Sequence, residues 1–335
     1  MTSAKNMTID EIEAVALKAL LAAGATEANA APLARAVAAA ERDGIASHGL
    51  AYVPTYCQHV QCGKVDGQAK PSLDRPKPAS YVVDAKTGFA HPAIALGFTA
   101  LIETAREQGL AGLAVRNSYN CGVLGYHTEQ IAAAGLLGIG FTNAPASIAP
   151  VNGRTPVVGT NPLSLAVPDG AGGAAILIDQ SASVVAKSEI MKHAREERPI
   201  PEGWALDPDG HPTTDPALAL KGSMAPTGGY KGVGVALIVE TMAAALAGAT
   251  LGIHASPFSG TEGGPPKTGQ FFFAIETGAF SGGAFDHRIA DLVAAITDQP
   301  GVHLQGQGRK AARKKADRDG VLVAAKTLAA IEAVL

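Results

Sequence analysis

The N-terminal part of the chain has apolar and polar residues at the spacing of amphipathic helices. In TIDEIEAVALKALLAAG (residues 8–24) and TEANAAPLARAVAAAERDG (residues 26–44), the apolar positions fall on one helical face, and each stretch ends in glycine. A Thr or Asp before the first turn and a glycine after the last are common helix boundaries. We therefore predict two helices here, and a third that begins near Pro54, because proline suits a first turn.

Beyond Gly63, strand-like and helical patterns alternate. Strands are predicted in ASYVVDAK (79–86), LAGLAVRNS (110–118), LLGIGFTNA (136–144), TPVVGTNPLSLAVP (155–168), AAILIDQSAS (174–183) and TGQFFFAIE (268–276). Helices are predicted in PAIALGFTALIETAREQG (92–109), HTEQIAAAG (127–135), KGVGVALIVETMAAALAG (231–248), RIADLVAAITDQ (288–299) and VLVAAKTLAAIEAV (321–334). Two stretches, 195–216 and 254–269, are predicted as long ordered loops, which serve either as site walls or as surface excursions.

Composition excludes several classes of function. The chain has 335 residues, 47% of them hydrophobic and 17% charged, with a formal net charge of -3, so it is globular and has no basic field for nucleic acid. The basic segment 308–320 is too short and too mixed in charge for a nucleic-acid arm, although it could meet a phosphate. No apolar stretch predicts a membrane span. Three cysteines and no pattern of a signal peptide predict a cytoplasmic protein without disulfides.

Familiar catalytic motifs are missing. No G-x-G-x-x-G follows a strand and opens a helix, no phosphate-binding P-loop is present, and neither H-E-x-x-H nor C-x-x-C occurs. The nine histidines are not at metal-ligand spacing, so no metal site is expected.

Four clusters of small and polar residues remain as candidates: 117–127, 159–162, 179–183 and 228–232. Small residues allow close backbone approach, and free N–H groups at a helix start bind anions. One such cluster is more often a turn than a site. Four of them together favour a cofactor that carries phosphate.

The stretch ERDGIASHGL (41–50) places Ser47 and His48 where a helical pattern stops. An imidazole at this place either interacts favourably with the end of the preceding helix or takes part in proton transfer. The residues alone favour the first interpretation.

Several segments in order along the chain resemble the type-2 malate/L-lactate dehydrogenase family. They are RDGIASHG, GT followed by NPLSLAVP, IPEGWALDPDGHPTTDP and YKGVGVALIVE. The family includes ureidoglycolate, sulfolactate and diketogulonate enzymes, and reductases of Δ1-piperideine-2-carboxylate and Δ1-pyrroline-2-carboxylate. The resemblance implies a mixed α/β fold with a non-Rossmann NAD(P)-binding domain (76–284) on a largely antiparallel sheet. It also implies a helical domain formed by both chain ends (1–75 with 285–335), and a homodimer.

The resemblance assigns proton transfer to Ser47 and His48, since hydride addition to C=O or C=N requires a proton donor. The segment NSYNCGVLG is similar to a family loop, N-S-x-H-F-G, that contacts the cofactor. Asn120 stands here in place of the histidine and Cys121 in place of the phenylalanine. Asparagine forms hydrogen bonds but does not exchange protons, and His127 is expected to be structural. Tyr52 stands where many relatives have an arginine suited to a substrate carboxylate, and it keeps a donor but loses the bidentate charge pairing. Either Arg154, Lys187 or backbone N–H groups bind the carboxylate, or the substrate is not a simple 2-oxo diacid.

The remaining candidates follow from the same resemblance. The substrate-binding candidates are Tyr52, Tyr56, Arg154 and Thr160. The cofactor-binding candidates are Asn120, Cys121, Gly122, Val123, Leu124, Asn161, Pro162, Asp179, Ser181, Ser183, Lys187, Lys231, Gly232, Arg309 and Arg313.

The prediction for function is an NADPH-dependent reductase of a cyclic imino acid, with NADH as the possible alternative cofactor. It would form L-proline from Δ1-pyrroline-2-carboxylate or L-pipecolate from Δ1-piperideine-2-carboxylate. Two alternatives stay open: a 2-hydroxy-acid dehydrogenase of the malate, lactate, ureidoglycolate, sulfolactate or diketogulonate type, and a non-catalytic relative that binds the cofactor. The expected partner is a small-molecule substrate, with no nucleic acid and no membrane.

Overall fold

The computed structural model describes residues 4–335 of the chain. The strands are β1 (Lys5–Met7), β2 (Ser72–Lys77), β3 (Ser80–Asp84), β4 (Leu110–Ser118), β5 (Leu137–Thr142), β6 (Leu163–Pro168), β7 (Ala174–Gln180), β8 (Ala205–Leu206), β9 (Pro212–Thr213), β10 (Ser223–Met224), β11 (Thr268–Ile275) and β12 (Val321–Val323). The helices are α1 (Ile9–Ala22), α2 (Glu27–Arg42), α3 (Val53–Gln61), α4 (Ala90–Gln108), α5 (Leu124–Ala133), α6 (Lys187–Arg195), α7 (Pro216–Lys221), α8 (Tyr230–Glu240), α9 (Thr277–Ser281), α10 (Phe285–Thr297), α11 (Gln307–Asp319) and α12 (Ala325–Glu332). Within this range no helix is long and apolar enough to cross a membrane.

A seven-stranded sheet with the order β2-β3-β4-β11-β5-β6-β7 organises the molecule. Only β3 and β4 pair in parallel, and the other neighbours in this sheet are antiparallel. The expected mixed α/β fold with a largely antiparallel sheet is therefore confirmed. A smaller sheet, β10-β8-β9, occupies part of the segment 195–216 that was predicted as a loop.

Both faces of the large sheet are covered, because side chains of β11 alternate between two apolar cores. Phe272 packs with Leu113 and α4 residues on one face. Phe271 packs with Phe141 and Val239 on the other, under α8 and the π-helical turn Thr241–Leu246. This two-sided burial explains why β11 reads as a continuous apolar run, FFFAI, rather than as an alternating pattern.

The two ends of the chain meet in space. β1 pairs with β12 in antiparallel fashion, and Leu20, Leu33, Val323 and Ile331 share one apolar cluster. In contrast, α10 packs against the sheet, where Ile289 contacts the cluster around Val167 and Ile176. The predicted division into 1–75 with 285–335 and 76–284 stays a prediction.

Local capping signals place most of the predicted elements where the pattern predicts them, although several differ and others, such as β2 and α6, were not predicted. Thr8 and Glu11 form a reciprocal capping box at the start of α1. The helix predicted at 127–135 begins earlier, at Leu124, and the strand predicted at 155–168 forms only over Leu163–Pro168. The helix predicted at 321–334 is wrong in its first turn, because residues Val321–Val323 pair with β1 instead. The basic segment 308–320 lies largely in the helix α11.

Candidate active site

Ser47 and His48 lie in a 3-10 turn, Ala46–His48, after the end of α2. The Ser47 hydroxyl lies 3.0 Å from His48 Nδ1, so the serine fixes one ring nitrogen and leaves Nε2 free. His48 lies six residues beyond the last residue of α2, which separates it from the carbonyls at that helix end. This geometry disfavours the helix-end interpretation and favours proton transfer.

The buried carboxyl group of Glu41 holds the chain that follows His48. Leu50 N–H donates to Glu41 Oε1 at 2.8 Å, which ties the second turn, Leu50–Tyr52, back to α2. Burial raises the pKa of Glu41, and the hydrogen bond from Leu50 opposes that rise. Gly49 makes this contact possible, because a Cβ at this position would lie 2.2 Å from Glu41 Oε1.

An ion pair at the end of β7 acts on His48. Arg309 Nη2 donates to Asp179 Oδ2 at 2.7 Å, and Gly125 N–H at the start of α5 donates to the same oxygen at 3.0 Å. Burial lowers the pKa of His48, the charge of Asp179 raises it, and the charge of Arg309 lowers it. His48 is therefore mainly neutral near neutral pH, and Asp179 is the group that favours its protonated form.

Arg309 also has a hydrogen-bond donor that this ion pair does not use. Arg309 Nη1 is buried and has no hydrogen-bond partner among the described residues. A Cβ at position 125 would lie 2.6 Å from this nitrogen and 2.8 Å from Asp179 Oδ2, so a glycine at this position leaves room for the Arg309–Asp179 ion pair. A buried guanidinium nitrogen without a partner is costly, which favours an anionic group bound at this place.

Aromatic side chains form the neighbouring wall. The Tyr52 and Tyr56 rings lie 4.7 Å apart, and Tyr119 packs against Tyr56 at 6.1 Å. The Tyr52 hydroxyl donates to the Phe258 carbonyl at 3.3 Å. Burial raises the pKa of Tyr52, and hydrogen bonds from Tyr119 and Asn120 oppose that rise. Tyr52 is thus a neutral donor in this structure.

Buried hydrogen bonds fix the loop that contains Phe258. Part of the segment 254–269, which was predicted as a loop, therefore forms a wall of this region. His59 Nε2 lies 2.8 Å from the Gly260 carbonyl, and its Nδ1 is hydrogen-bonded to the Tyr119 hydroxyl. Lys64 is 1% exposed and donates to the Pro257 and Gly260 carbonyls at 2.7 and 3.2 Å. A lysine buried to this degree is unusual without partners, and here the two carbonyls supply them.

The loop before α5 contains groups that do not transfer protons at neutral pH. Asn120 Oδ1 accepts from Gly122 N–H at 2.6 Å and so shapes the turn. Burial raises the pKa of Cys121 to about 12, which keeps its thiol protonated. Burial lowers the pKa of His127 to about 4, and its Nε2 lies 2.9 Å from the Cys121 carbonyl. Val123 and Leu124 are buried at the start of α5. His127 was expected to be a surface or core residue of a helix, and here it lies in the core.

Other predicted residues are held in structural contacts. Asn161 is fully buried and donates to Glu240 Oε2 at 2.7 Å and to the Ala236 carbonyl at 2.9 Å. Thr160 and Pro162 contribute backbone carbonyls, to Ala182 N–H at 2.7 Å and Thr142 N–H at 3.2 Å. These contacts position the chain between β5, β7 and α8.

Ser181 and Ser183 are linked to each other, with hydroxyls 3.0 Å apart, directly after Asp179 on the chain. Gly232 is buried against the carbonyl of Thr227, where a Cβ would lie 2.3 Å away, while Lys231 is exposed. Arg154 is exposed beside Gly210, and among the described residues no hydrogen bond or ion pair joins it to His48. Lys187 lies at the start of α6 in a separate cavity described below.

Arg313 forms a clamp between two carboxylates instead of facing open space. It contacts Asp43 at 2.5 and 2.8 Å and Glu129 at 2.7 and 2.5 Å. The hydrogen bonds that Arg313 donates to Asp43 and Glu129 raise its pKa. The side chain joins the end of α2, α5 and α11, so this contact set favours a structural role over the phosphate contact expected from the sequence.

Sequence reasoning missed Glu41, His59, Lys64, Tyr119 and Phe258. The sequence held one signal for Glu41: it is an acid in the last turn of a predicted helix, where a negative charge is electrostatically unfavourable. The other four meet only through the tertiary fold, and no local pattern indicates their proximity.

Comparisons with known proteins agree on one family. The sequence model of the malate/L-lactate dehydrogenase family matches residues 7–332. A (2R)-3-sulfolactate dehydrogenase (NADP(+)) of Chromohalobacter salexigens is 42% identical over 312 residues, which cover 92% of each chain. A Δ1-pyrroline-2-carboxylate reductase of Ancylobacter novellus is 38% identical over 98% of this chain and 97% of that protein. The crystal structure of Δ1-piperideine-2-carboxylate reductase from Pseudomonas syringae pv. tomato superimposes with a TM-score of 0.92 at 31% identity, covering 99% of this chain and 100% of that chain.

Proposed function

The chain belongs to the malate/L-lactate dehydrogenase family and is an oxidoreductase, and from this premise we propose that it is an NAD(P)H-dependent reductase of a cyclic imino acid. The substrate would be Δ1-pyrroline-2-carboxylate or Δ1-piperideine-2-carboxylate, and the product L-proline or L-pipecolate. The names of the Ancylobacter and Pseudomonas relatives support this substrate class.

The observation that carries the proposal is the isolation of His48 as a proton donor. Reduction of a C=N bond requires one hydride at carbon and one proton at nitrogen. His48 has a free Nε2, Ser47 at its other nitrogen and Asp179 to favour the imidazolium. At the position where the family loop is expected to have a second histidine, Asn120 accepts from Gly122 N–H and acts on Tyr52, but an amide does not exchange protons. One donor is sufficient for an imine.

The residues around Asp179 fit a nicotinamide cofactor. The unpartnered Arg309 Nη1 would donate to an anionic group of the cofactor near the start of α5. The loop Asn120–Leu124 and Ser181 and Ser183 would line the same region. When bound, the cofactor supplies the hydride. NADPH is the preferred form in this proposal, since a relative is named as NADP(+)-dependent.

The aromatic wall fits the ring of the substrate. Tyr52 and Tyr56 present apolar ring faces. The Tyr52 hydroxyl donates to the Phe258 carbonyl at 3.3 Å, so it would donate to a carboxylate oxygen only in place of that hydrogen bond. This neutral contact is weaker than the bidentate arginine contact that many relatives are expected to make. The flat, apolar part of the substrate would therefore contribute more of the binding energy than its carboxylate.

A substrate panel tests the proposal. NADPH oxidation is followed with Δ1-pyrroline-2-carboxylate, Δ1-piperideine-2-carboxylate, pyruvate, oxaloacetate and 3-sulfopyruvate. We expect a higher kcat/KM for a cyclic imine than for any 2-oxo acid, and His48→Gln should lower kcat by about 10²-fold or more. A better 2-oxo acid would overturn the imine assignment, and tight NADPH binding without turnover would indicate a non-catalytic relative.

A second candidate is a dehydrogenase of a 2-hydroxy acid, favoured by the 42% identity to the sulfolactate enzyme. Sulfolactate carries two negative groups, so its binding requires cationic or multiple N–H donors. Arg309 is the cation that acts on His48, and its Nη1 would donate a hydrogen bond to one of these groups. Turnover of 3-sulfopyruvate in the same panel separates this candidate from the imine reductase.

We further propose a cytoplasmic homodimer. Leu237 and Ile238 on α8 are 50% and 57% exposed, and Leu246 in the following turn is 59% exposed. An apolar patch of this kind is typical of an interface between subunits. Ile238→Asp should convert the dimer to a monomer in light scattering coupled to gel filtration. Cysteines at 57, 62 and 121 are all free, which supports a reducing compartment.

The contacts of β1 with β12 also support a helical domain built from both chain ends, with the cofactor held without a Rossmann motif. Limited proteolysis in the segments 63–75 and 282–284 would test where such a domain is joined to the rest.

A further inference from the structure

A cavity of about 240 Å³ lies between α6, α7 and β10. Ser147, Lys187 and Lys221 supply its polar groups, and Ile190 and Met224 contribute to its apolar wall. The residues that line it include no aspartate or glutamate. The charge of this cavity is therefore positive.

Ser147 has a hydroxyl group without a partner. The residue is 7% exposed, and among the described residues nothing forms a hydrogen bond to its Oγ. Its backbone is fully engaged, with N–H donating to the Val158 carbonyl at 2.8 Å and the carbonyl accepting from Met224 N–H at 2.8 Å. The backbone thus holds a buried donor in the wall of the cavity, and leaving such a donor unpaired is costly.

The two lysines are also unpaired. Across residues 4–335, the ammonium groups of Lys187 and Lys221 form no hydrogen bond and no ion pair. Glu189, the nearest acid along α6, pairs with Lys192 at 3.8 Å instead. Burial lowers the pKa of Lys187, because neighbouring atoms displace water from its ammonium group and no carboxylate compensates. An anion in the cavity would supply that compensation.

The size of the cavity limits what fits. Pockets for drug-sized ligands are typically about 300–1,000 Å³, so this cavity is too small for a whole dinucleotide and large enough for one oxyanion group. Its apolar wall lowers the local dielectric and strengthens attraction between an ammonium group and an anion.

We propose that this cavity binds a tetrahedral oxyanion of the phosphate type, held by Lys187, Lys221 and the Ser147 hydroxyl. The two ammonium groups neutralise the charge, and the serine donates a hydrogen bond to one oxygen. The anion is either a free phosphate or a phosphate group of a larger ligand such as the cofactor.

Calorimetric titration with inorganic phosphate tests the site without any turnover. We compare the wild type with Lys187→Met, Lys221→Met, the double variant and Ser147→Ala. Lys192→Met is the matched control, because Lys192 lies on the same helix outside the cavity. Each lysine variant should raise the Kd of phosphate by about tenfold, which corresponds to about 1.4 kcal/mol for one charge-assisted hydrogen bond. The control should bind as the wild type does, and the melting temperatures establish that each variant is folded.

The KM values for NADPH and NADH identify the source of the anion. If the cavity takes a phosphate of NADPH that NADH lacks, the double variant raises KM for NADPH and leaves KM for NADH unchanged. If it takes a free anion, phosphate binding is lost and both KM values are retained. Phosphate binding that survives in the double variant overturns the proposal. The proposal is also overturned if the wild type binds no phosphate and the ratio of its KM values for NADPH and NADH is the same as in the double variant.

Discussion

The contact between Gly49 and Glu41 gives a direct test of how the Ser47-His48 turn is held. In Gly49→Ala, the new Cβ would lie 2.2 Å from Glu41 Oε1 and 2.5 Å from its Cδ. Gly49 has a φ of -90°, outside the left-handed region, so the effect comes from this contact and not from backbone strain. Ordinary contact begins near 3.4 Å, so the carboxyl group must move by more than 1 Å.

That movement has a calculable cost. The Glu41 carboxyl would lose the N–H of Leu50 while still largely buried, and the loss of a hydrogen bond to such a group costs about 1–3 kcal/mol. We expect the melting temperature to fall by a few degrees. Because a displacement of about 1 Å of catalytic groups can cost about 10²-fold, we expect kcat/KM to fall by about 10-fold to 10²-fold.

The assay compares kcat/KM for the cyclic imine and thermal unfolding in four proteins: wild type, Gly49→Ala, Glu41→Ala and the double variant. If the clash is the cause, adding Gly49→Ala to Glu41→Ala should cost little more, because the clashing group is already gone. Gly308→Ala is the control, since a Cβ there meets nothing within 4 Å. Additive losses in the double variant, or wild-type activity and stability in Gly49→Ala, would refute this explanation.

Three further predictions concern the groups around His48 and the aromatic wall. Reduction requires protonated His48, so activity is present at low pH and lost as pH rises through the pKa of His48. Since Asp179 raises that pKa, Asp179→Asn should move the falling limb of the kcat/KM profile to lower pH. A limb that does not move would exclude the coupling of His48 to Asp179. Arg313→Met should destabilise the fold by about 2 kcal/mol in denaturant unfolding, because the Asp43 and Glu129 carboxylates lose their partner, while a raised KM for NADPH would instead support a cofactor role. Tyr119→Phe should raise KM for the imine about fivefold with little change in kcat, since it removes the hydrogen bond to His59 that helps to fix the loop containing Phe258. A fall in kcat by the same factor would contradict a role limited to binding.

Local patterns predicted most of the elements but not the pairing of distant ones. Apolar spacing and capping residues were sufficient for α1, α2, α4 and β4, because those signals lie within each segment. The first turn of 321–334 was wrong for the opposite reason. Its apolar residues fit a helix as well as a strand, and the choice was made by β1, more than 300 residues away on the chain.

The candidate site shows the same division. Ser47 and His48 are adjacent in the sequence, so their hydrogen bond could be anticipated. The coupling of His48 to Asp179 and Arg309 depends on the packing of β7, α5 and α11, and no spacing in the sequence encodes it. The phosphate contact predicted for Arg313 stays a prediction. The sequence did not indicate its contacts with Asp43 at the end of α2 and Glu129 on α5.

The surroundings of His48 also limit which chemistry this site performs well. Burial and Arg309 both favour neutral imidazole, and only Asp179 favours the charged form. Because burial disfavours the charged form, reduction should slow as pH rises and His48 loses its proton. The reverse reaction needs a neutral base, which the same burial supplies. Oxidation of the product should therefore become relatively faster as pH rises, and measuring both directions across pH with one enzyme preparation tests whether His48 serves both. Parallel pH profiles in the two directions would show that another group controls the proton.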